Sequence, residues 1–229
     1  MKVLISGVNS GLGKFLSEAF QGCDKVTREV GPENFLNQKY DLVIHCAASV
    51  AHYSWDDQIP YQFLHDNIFL TNKMLDLECE KFVYISSIDQ KKDTPYGIAK
   101  RLSELLVKQK KQNHLILRPV ALLGKYMRKN SFQKILKSLP VGLAADSVMN
   151  YVLYEDVLDI INEDNSGTLT LRCKEDITLK EVAVLANSDT DFGNFKFVIE
   201  SGDSNFSLNK TSKDSIIKFL ESTNEATNL

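Results

Sequence analysis

Within its first twenty residues the chain passes from an apolar run through a glycine loop into an amphipathic segment. Lys2 to Ser6 is rich in β-branched and leucine side chains, the pattern of a buried parallel strand. G-V-N-S-G-L-G follows, with Gly7, Gly11 and Gly13. In the next stretch Leu12, Phe15, Leu16, Ala19 and Phe20 recur at helical spacing. Strand, glycine loop and helix is the arrangement that binds a pyrophosphate. Gly7 allows the tight turn, Gly11 lets the backbone approach the phosphates, and Gly13 lets helix and strand pack closely. The helix N-terminus supplies N–H donors and a positive dipole end. Asn9, Ser10 and Leu12 lie between the glycines and are counted with them as dinucleotide contacts. The spacing is G-x-x-x-G-x-G rather than the commoner G-x-G-x-x-G. A plain glycine-rich turn is the alternative, and the position between strand and helix favours the nucleotide.

Apolar runs and helical segments then alternate. Lys25 to Val30 reads as a short second strand. An acidic residue at the end of such a strand holds ribose hydroxyls, whereas an arginine suits a 2′-phosphate. Arg28 therefore points to NADP(H), although Glu29 beside it could take the ribose. Only G-P-E-N-F-L-N-Q-K-Y separates this strand from Asp41, so a third strand there is short or missing. Asp41 to Ala48 is the next strand, apolar and then small, and Cys46, Ala47 and Ala48 at its end permit a ligand to lie across it. His45 and Cys46 have no partner at metal-ligand spacing, so core packing is expected and no metal site.

Ser49 to Pro60 is a loop carrying His52, Tyr53 and Trp55. Tyr61 to Glu78 reads as a helix with Leu64, Ile68, Met74 and Leu75 on a repeating apolar face and Asn67 inside it. Phe82 to Ser86 is a strand, Tyr96 to Lys111 a helix, and His114 to Pro119 another buried strand.

Between Tyr84 and Lys100 the chain reads Y-I-S-S-I-D-Q-K-K-D-T-P-Y-G-I-A-K. Proline suits a helix's first turn, and a helix opening at Tyr96 sets Tyr96 and Lys100 on one face. An ammonium beside a phenol favours the phenolate, and Ser86 or Ser87 supplies a further hydrogen-bonding group. A proton-transfer site needs these parts. Y-x-x-x-K also arises by chance, so its weight comes from its surroundings.

Beyond Val120 the alternation loosens. F-Q-K-I-L-K-S-L is helix-like, and Tyr151 to Ile161 is a strand running into a helix capped by Glu155 or Asp156. Thr168 to Arg172 is a short strand. Ile177 to Ala186 opens with Thr178 and, three residues on, Glu181, a capping box. Phe195 to Glu200 alternates like a strand, and Ser212 to Glu221 is a last helix with a frayed tail after it.

The 229 residues, with 43% apolar and 25% charged side chains, suit a soluble globular protein, and a net charge of -3 argues against a general nucleic-acid binder. No apolar run approaches the ~20 residues of a membrane span. The irregular placement of Cys23, Cys46, Cys79 and Cys173 suggests reduced thiols in a cytoplasmic protein.

These elements imply an α/β fold, a doubly wound parallel sheet, or Rossmann fold, with a small C-terminal substrate-binding lobe. Residues 1–119 form the dinucleotide-binding core, completed by about 151–172. Residues 120–150 and 173–229 form the lobe. The glycine loop, Ala47/Ala48, Ser86/Ser87 and Arg118/Pro119 all fall at the carboxyl ends of strands, where such sheets bind ligands.

With S-G-V-N-S-G-L-G, D-L-V-I-H-C-A-A-S, N-I-F-L-T, F-V-Y-I-S-S, P-Y-G-I-A-K, L-R-P-V-A-L-L-G and Y-E-D-V-L-D-I-I in this order, the chain resembles the short-chain dehydrogenase/reductase superfamily. It is most similar to the extended branch, the NAD-dependent epimerases and dehydratases of sugar nucleotides. The resemblance implies an NAD(P)-dependent reductase or epimerase acting on a sugar or sugar-nucleotide carbonyl. It implies that Ser87 orients the substrate oxygen, that Tyr96 is the acid/base, and that Lys100 binds the nicotinamide ribose. Asn67, Pro119 and Val120 join the cofactor contacts, and a homodimer through the helices at 61–78 and 96–111 is consistent with it. The glycine spacing follows the shorter branch. Ser87 and Tyr96 stand only nine residues apart, closer than is usual in the family. Ile88-Asp89 lacks the adjacent acidic pair of the dehydratases, which points to reduction or epimerisation. A non-catalytic dinucleotide sensor on the same fold, or a reductase of a non-sugar carbonyl, are the other readings.

Overall fold

The computed structural model describes residues 1–51, 53, 56–199 and 206–227. The chain divides into two compact units, one of Met1–Pro119 with Leu158–Leu169, the other of Val120–Val157 with Thr170–Leu229.

The first unit opens with β1 (Val3–Ser6), α1 (Gly11–Ala19) and β2 (Asp24–Val26), followed by a 3-10 turn at Pro32–Phe35 and β3 (Lys39–His45). Next come α2 (Tyr61–Leu64), a π-helical turn (His65–Phe69) and α3 (Leu70–Met74). After β4 (Glu78–Ile85) and a second 3-10 turn (Ile88–Lys91), α4 (Pro95–Lys110) leads to β5 (His114–Pro119). Leu4, Tyr40, Val43, Phe82, Tyr84 and Ile116 meet in one buried cluster, the apolar faces of neighbouring strands. Burial of these faces is the main term favouring the sheet.

In the rest of the chain lie β6 (Ala121–Leu123), α5 (Ser131–Leu136), β7 (Val141–Leu143), β8 (Val148–Met149) and β9 (Tyr151–Leu153). They are followed by α6 (Tyr154–Asn162), β10 (Gly167–Cys173), β11 (Ile177–Thr178), α7 (Leu179–Leu185), β12 (Phe192–Phe195), β13 (Phe206–Leu208) and α8 (Ser212–Thr227). A second core gathers Leu123, Phe132, Ile135, Tyr151, Leu179 and Ile216. Among the described residues no helix is long and apolar enough to cross a membrane.

The central sheet has seven strands in the order β13-β10-β5-β4-β3-β1-β2. Pairing is parallel from β2 through β5 and between β10 and β13. Chain order reverses at β1, which lies between β2 and β3. That reversal is the topological switch point at which open α/β sheets bind ligands, outside the strands' carboxyl ends. Register aligns these ends, because Ser6 faces His45 and His45 faces Tyr84.

Several boundaries differ from the sequence reading. The second strand stops at Val26, because Thr27 turns the chain: its hydroxyl accepts from the N–H groups of Glu29 and Val30. The helix begun at Tyr61 ends at Met74, and Glu78 already pairs with Lys39, so β4 starts four residues before Phe82. The segment Pro32–Phe35 forms a 3-10 turn where room for a third strand was lacking. The strand expected at Phe195–Glu200 lies instead at Phe192–Phe195, beside β7, and Glu200 falls outside the described residues, as do His52 and Trp55. The last helix continues to Thr227 instead of fraying after Glu221. The capping box at Thr178 and Glu181 is present with both of its hydrogen bonds. Asp156, rather than Glu155, accepts from the Leu153 N–H at the head of α6.

Candidate active site

The glycine loop owes its shape to contacts that no side chain could share. Gly7 has φ +77°, and a Cβ there would lie 2.7 Å from the Ala47 nitrogen. Gly11 has φ +58°. A Cβ on Gly13 would lie 2.3 Å from the Gly7 carbonyl oxygen, so α1 packs directly on the end of β1. Ser10 precedes α1 in an extended conformation and makes no side-chain cap, so the first-turn N–H groups of α1 have no hydroxyl folded over them. Asn9 and Ser10 are exposed, whereas Leu12 is buried and packs.

At the end of β3, His45 is completely buried, as expected of a core residue. Its ring is more than filler, because Nδ1 meets Ser6 Oγ at 2.6 Å and Nε2 meets Thr71 Oγ1 at 2.9 Å. Burial, and secondarily the Lys100 ammonium, push its pKa down to about 3, so the ring is neutral. Cys46, Ala47 and Ala48 follow, all partly buried. Burial pushes the Cys46 thiol up to about 12 even though Lys100 opposes the shift, so the sulfur stays protonated. No group of three or more metal-ligating side chains occurs among the described residues.

β4 delivers the two serines into different surroundings. Ser86 is buried, and its hydroxyl donates to Glu104 Oε1 at 2.6 Å. Ser87 is half-buried, and its Oγ accepts from the Asp89 N–H at 3.2 Å, capping the 3-10 turn. The short link to Tyr96 is compact. A Cβ on Gly97 would lie 2.3 Å from the Lys92 carbonyl oxygen, so α4 starts in direct contact with this turn. Thr94 caps α4 by accepting from the Gly97 N–H at 3.1 Å. Arg101 ties the two together through the Gln90 carbonyl and the Asp93 carboxylate.

Lys100 is 2% exposed. Its ammonium donates to the Ile85 carbonyl at 2.9 Å, lies 4.9 Å from the centroid of the Tyr84 ring and 5.8 Å from that of Tyr96. Tyr96 itself is half-buried. The structure thus brings Tyr96 and Lys100 to one end of β4, one residue from the Ser86–Ser87 pair.

A profile of the NAD dependent epimerase/dehydratase family matches residues 9–142. The chain belongs to this family. No curated protein sequence matches the chain. Among solved structures it is similar to a dTDP-4-dehydrorhamnose reductase from Clostridium acetobutylicum, with 19% identity over 98% of this chain and 100% of that one and a TM-score of 0.72. A UDP-N-acetylglucosamine 4-epimerase from Bacillus cereus is 19% identical over 96% of this chain and 95% of that one, with a TM-score of 0.70. The dTDP-4-dehydrorhamnose reductase of Bacillus anthracis, solved in complex with NADP, is 18% identical over 97% of this chain and 100% of that one, with a TM-score of 0.73. At this identity the likeness establishes the Rossmann fold.

For a member of this family, the residues present fit a dinucleotide. Gly7 and Gly13 hold the loop against Ala47 and the helix against the loop with no room for a Cβ, and Gly11 takes a positive φ at the head of α1. Asn67, 2% exposed on the π-helical turn, donates to the Phe63 and Ser49 carbonyls, while its Oδ1 is buried with no partner among the described residues. A buried acceptor of this kind is one that an ordered water or a ligand's donor would satisfy. Arg28 lies on the surface, its guanidinium 3.4 Å from Asp66. Asp66 was missing from the sequence reading, because forty residues separate it from the strand whose acidic terminus was sought. Pro119 ends β5, and the Val120 N–H is committed to the Leu171 carbonyl. Arg118 lies at that strand end, as the sequence places it, and pairs with Glu104. The signal that could have found Glu104 is its i+4 spacing from Lys100 on the inward face of α4.

Proposed function

We propose that this family member is an NAD(P)-dependent oxidoreductase or epimerase acting on a sugar or sugar-nucleotide carbonyl, with Tyr96 as acid/base, Lys100 as its electrostatic partner and Ser87 as the hydroxyl that orients the substrate oxygen. The observation that carries the reading is the buried Lys100 ammonium, bonded to the Ile85 carbonyl and lying over the Tyr84 ring, with the Tyr96 ring centroid 5.8 Å away. An ammonium held beside a phenol favours the phenolate, and so favours transfer of the phenol's proton. The commitment of Ser86 to Glu104 supports Ser87 as the working hydroxyl, because Ser87's own proton remains available to donate. A nicotinamide dinucleotide in the glycine cradle supplies the hydride chemistry. Gly7, Gly11, Gly13 and the α1 N-terminus would hold its phosphates. Ala47, Ala48 and Asn67 would line it, and Arg28 would take a 2′-phosphate. Among the family's chemistries, Ile88-Asp89 after Ser87 supports reduction or epimerisation over dehydration. Tyr61, Phe69, Leu102 and Leu105 are exposed on α2, α4 and the π-helical turn, which supports a homodimer through those helices.

Thermal unfolding tests the reading. NADPH or NADH is expected to raise the unfolding temperature, and a nucleotide-sugar from a panel is expected to raise it further in the dinucleotide's presence. No shift with either dinucleotide overturns it.

A further inference from the structure

A hydrogen-bonded chain runs through the buried end of the sheet and serves neither the proton-transfer group nor the phosphate cradle directly. The Ala47 N–H donates to Ser6 Oγ at 3.3 Å, and Ser6 Oγ meets His45 Nδ1 at 2.6 Å. On the other side of the ring His45 Nε2 meets Thr71 Oγ1 at 2.9 Å, and Thr71 Oγ1 donates to the Asn67 carbonyl at 3.2 Å. Ser6, His45, Asn67 and Thr71 are all buried.

The direction of the bonds to the ring follows from Ser6. Its oxygen accepts from the Ala47 N–H, so its one hydroxyl proton goes to His45 Nδ1, the acceptor that faces it. A neutral imidazole carries a single N–H, which is then on Nε2 and donates to Thr71 Oγ1. Thr71 donates in turn to the Asn67 carbonyl, and its side chain also bonds the Tyr84 phenol. In the opposite tautomer the Ser6 oxygen would receive two N–H donors, and its buried O–H would have no acceptor among the described residues. A cationic ring fails for the same reason, and burial beside the Lys100 ammonium disfavours it further.

We propose that His45 is a positioning residue for the dinucleotide site: as the Nε2–H tautomer it carries a one-way chain of hydrogen bonds that sets Ala47, against the glycine loop, relative to Asn67 on the π-helical turn. The proposal rests on the dinucleotide reading above. Both ends of the chain belong to segments assigned to the cofactor. Ala47 touches Gly7 so closely that a Cβ would not fit. Asn67 reaches the backbone of Ser49 and Phe63 through its amide, and Ser103 Oγ donates to its carbonyl at 2.7 Å. A shift at either end is therefore passed to the other through the imidazole, whose two nitrogens are fixed in opposite roles.

Two measurements on the full-length protein test this. In 15N-histidine NMR spectra at neutral pH, His45 is expected to show the Nε2–H tautomer. His45→Asn keeps a polar atom near the Nδ1 position and His45→Gln near Nε2, so each breaks the chain at one end. Both variants, where folded, are expected to bind NADPH about tenfold more weakly than the unsubstituted protein, because Ala47 and Asn67 are no longer held in register for the dinucleotide. An Nδ1–H tautomer overturns the proposal. So do folded variants that lose thermal stability while keeping the NADPH Kd, because such a result assigns His45 to the core alone. If the unsubstituted protein binds neither NADPH nor NADH, the dinucleotide reading fails and takes the positioning role with it, whichever tautomer is observed.

Discussion

Arg118 grips Glu104 through both carboxylate oxygens, Nε to Oε1 at 2.8 Å and Nη2 to Oε2 at 2.5 Å, and Ser86 Oγ adds a third donor at Oε1. Glu104 is almost fully buried, and Arg118 is one-fifth exposed. The pair stands behind the segment that presents Ile85 to Lys100 and then Ser87 to the site. Glu104→Gln leaves the guanidinium short of its counter-charge and is expected to lower unfolding free energy by about 2–3 kcal/mol, toward the low end for a broken buried pair because Arg118 keeps some water. Urea unfolding measures it, and a loss near zero would contradict the clamp.

Arg28 and Asp66 oppose each other at the edge of the proposed ribose site. An arginine that takes a 2′-phosphate must loosen its 3.4 Å contact with the carboxylate. Arg28→Ala is expected to lower the NADPH-over-NADH affinity ratio about tenfold. Asp66→Asn is expected to raise that ratio, and to have no such effect once Arg28 is gone. Titration of both dinucleotides against the three variants provides the ratios. A ratio unmoved by Arg28→Ala removes this residue from cofactor selection.

Gly13→Ala would set a methyl group 2.3 Å from the Gly7 carbonyl oxygen, a backbone atom with little room to retreat. The substitution is expected to cost about 1–3 kcal/mol of stability through overpacking. It should also weaken NADPH, because relief of the contact moves α1 away from the loop. Gly22→Ala meets nothing within 4 Å, and although its φ of +76° adds strain, it is the control that leaves the cradle in place. Equal effects on NADPH affinity from both would contradict the cradle.

His45 makes stability depend on pH in a definite direction. Its folded pKa, near 3, lies below the ordinary histidine value. The unfolded chain therefore binds a proton that the native protein refuses, and this contribution is complete above about pH 6.5 and is lost as pH falls toward 3. Between neutrality and pH 5 the loss from this one group is about 2 kcal/mol. Urea unfolding at both pH values should show a steeper loss for the unsubstituted protein than for His45→Gln. Parallel losses would mean that the ring does not resist protonation.

The repeating architecture was legible because each strand of the first unit is a short apolar run followed by loop or helix, so alternation alone implied a parallel sheet. Gly7 and Gly13 announced their roles, since strand, loop and helix leave a backbone approach as the reason for glycine. Glu104 and Asp66 did not. Each works through a partner distant in sequence, Arg118 or Arg28, and only the folded chain makes that pairing. The π-helical turn at His65–Phe69 was equally hidden, because its apolar face has ordinary helical spacing while its backbone bonds are rearranged around the amide of Asn67. The two serines could be told apart on residues only by resemblance, and in the structure they differ by what each hydroxyl touches.

The Tyr96–Lys100 pair is the centre of the account, and Tyr96→Phe tests it most directly. The measurement is NADPH oxidation with a nucleotide-sugar that stabilises the protein, alongside the NADPH Kd. The variant keeps the ring over Lys100 and removes only the exchangeable proton. Turnover is expected to fall by about 10²–10⁴ while the Kd stays within about threefold. Turnover that survives the loss of this hydroxyl would contradict the assignment of Tyr96 as acid/base.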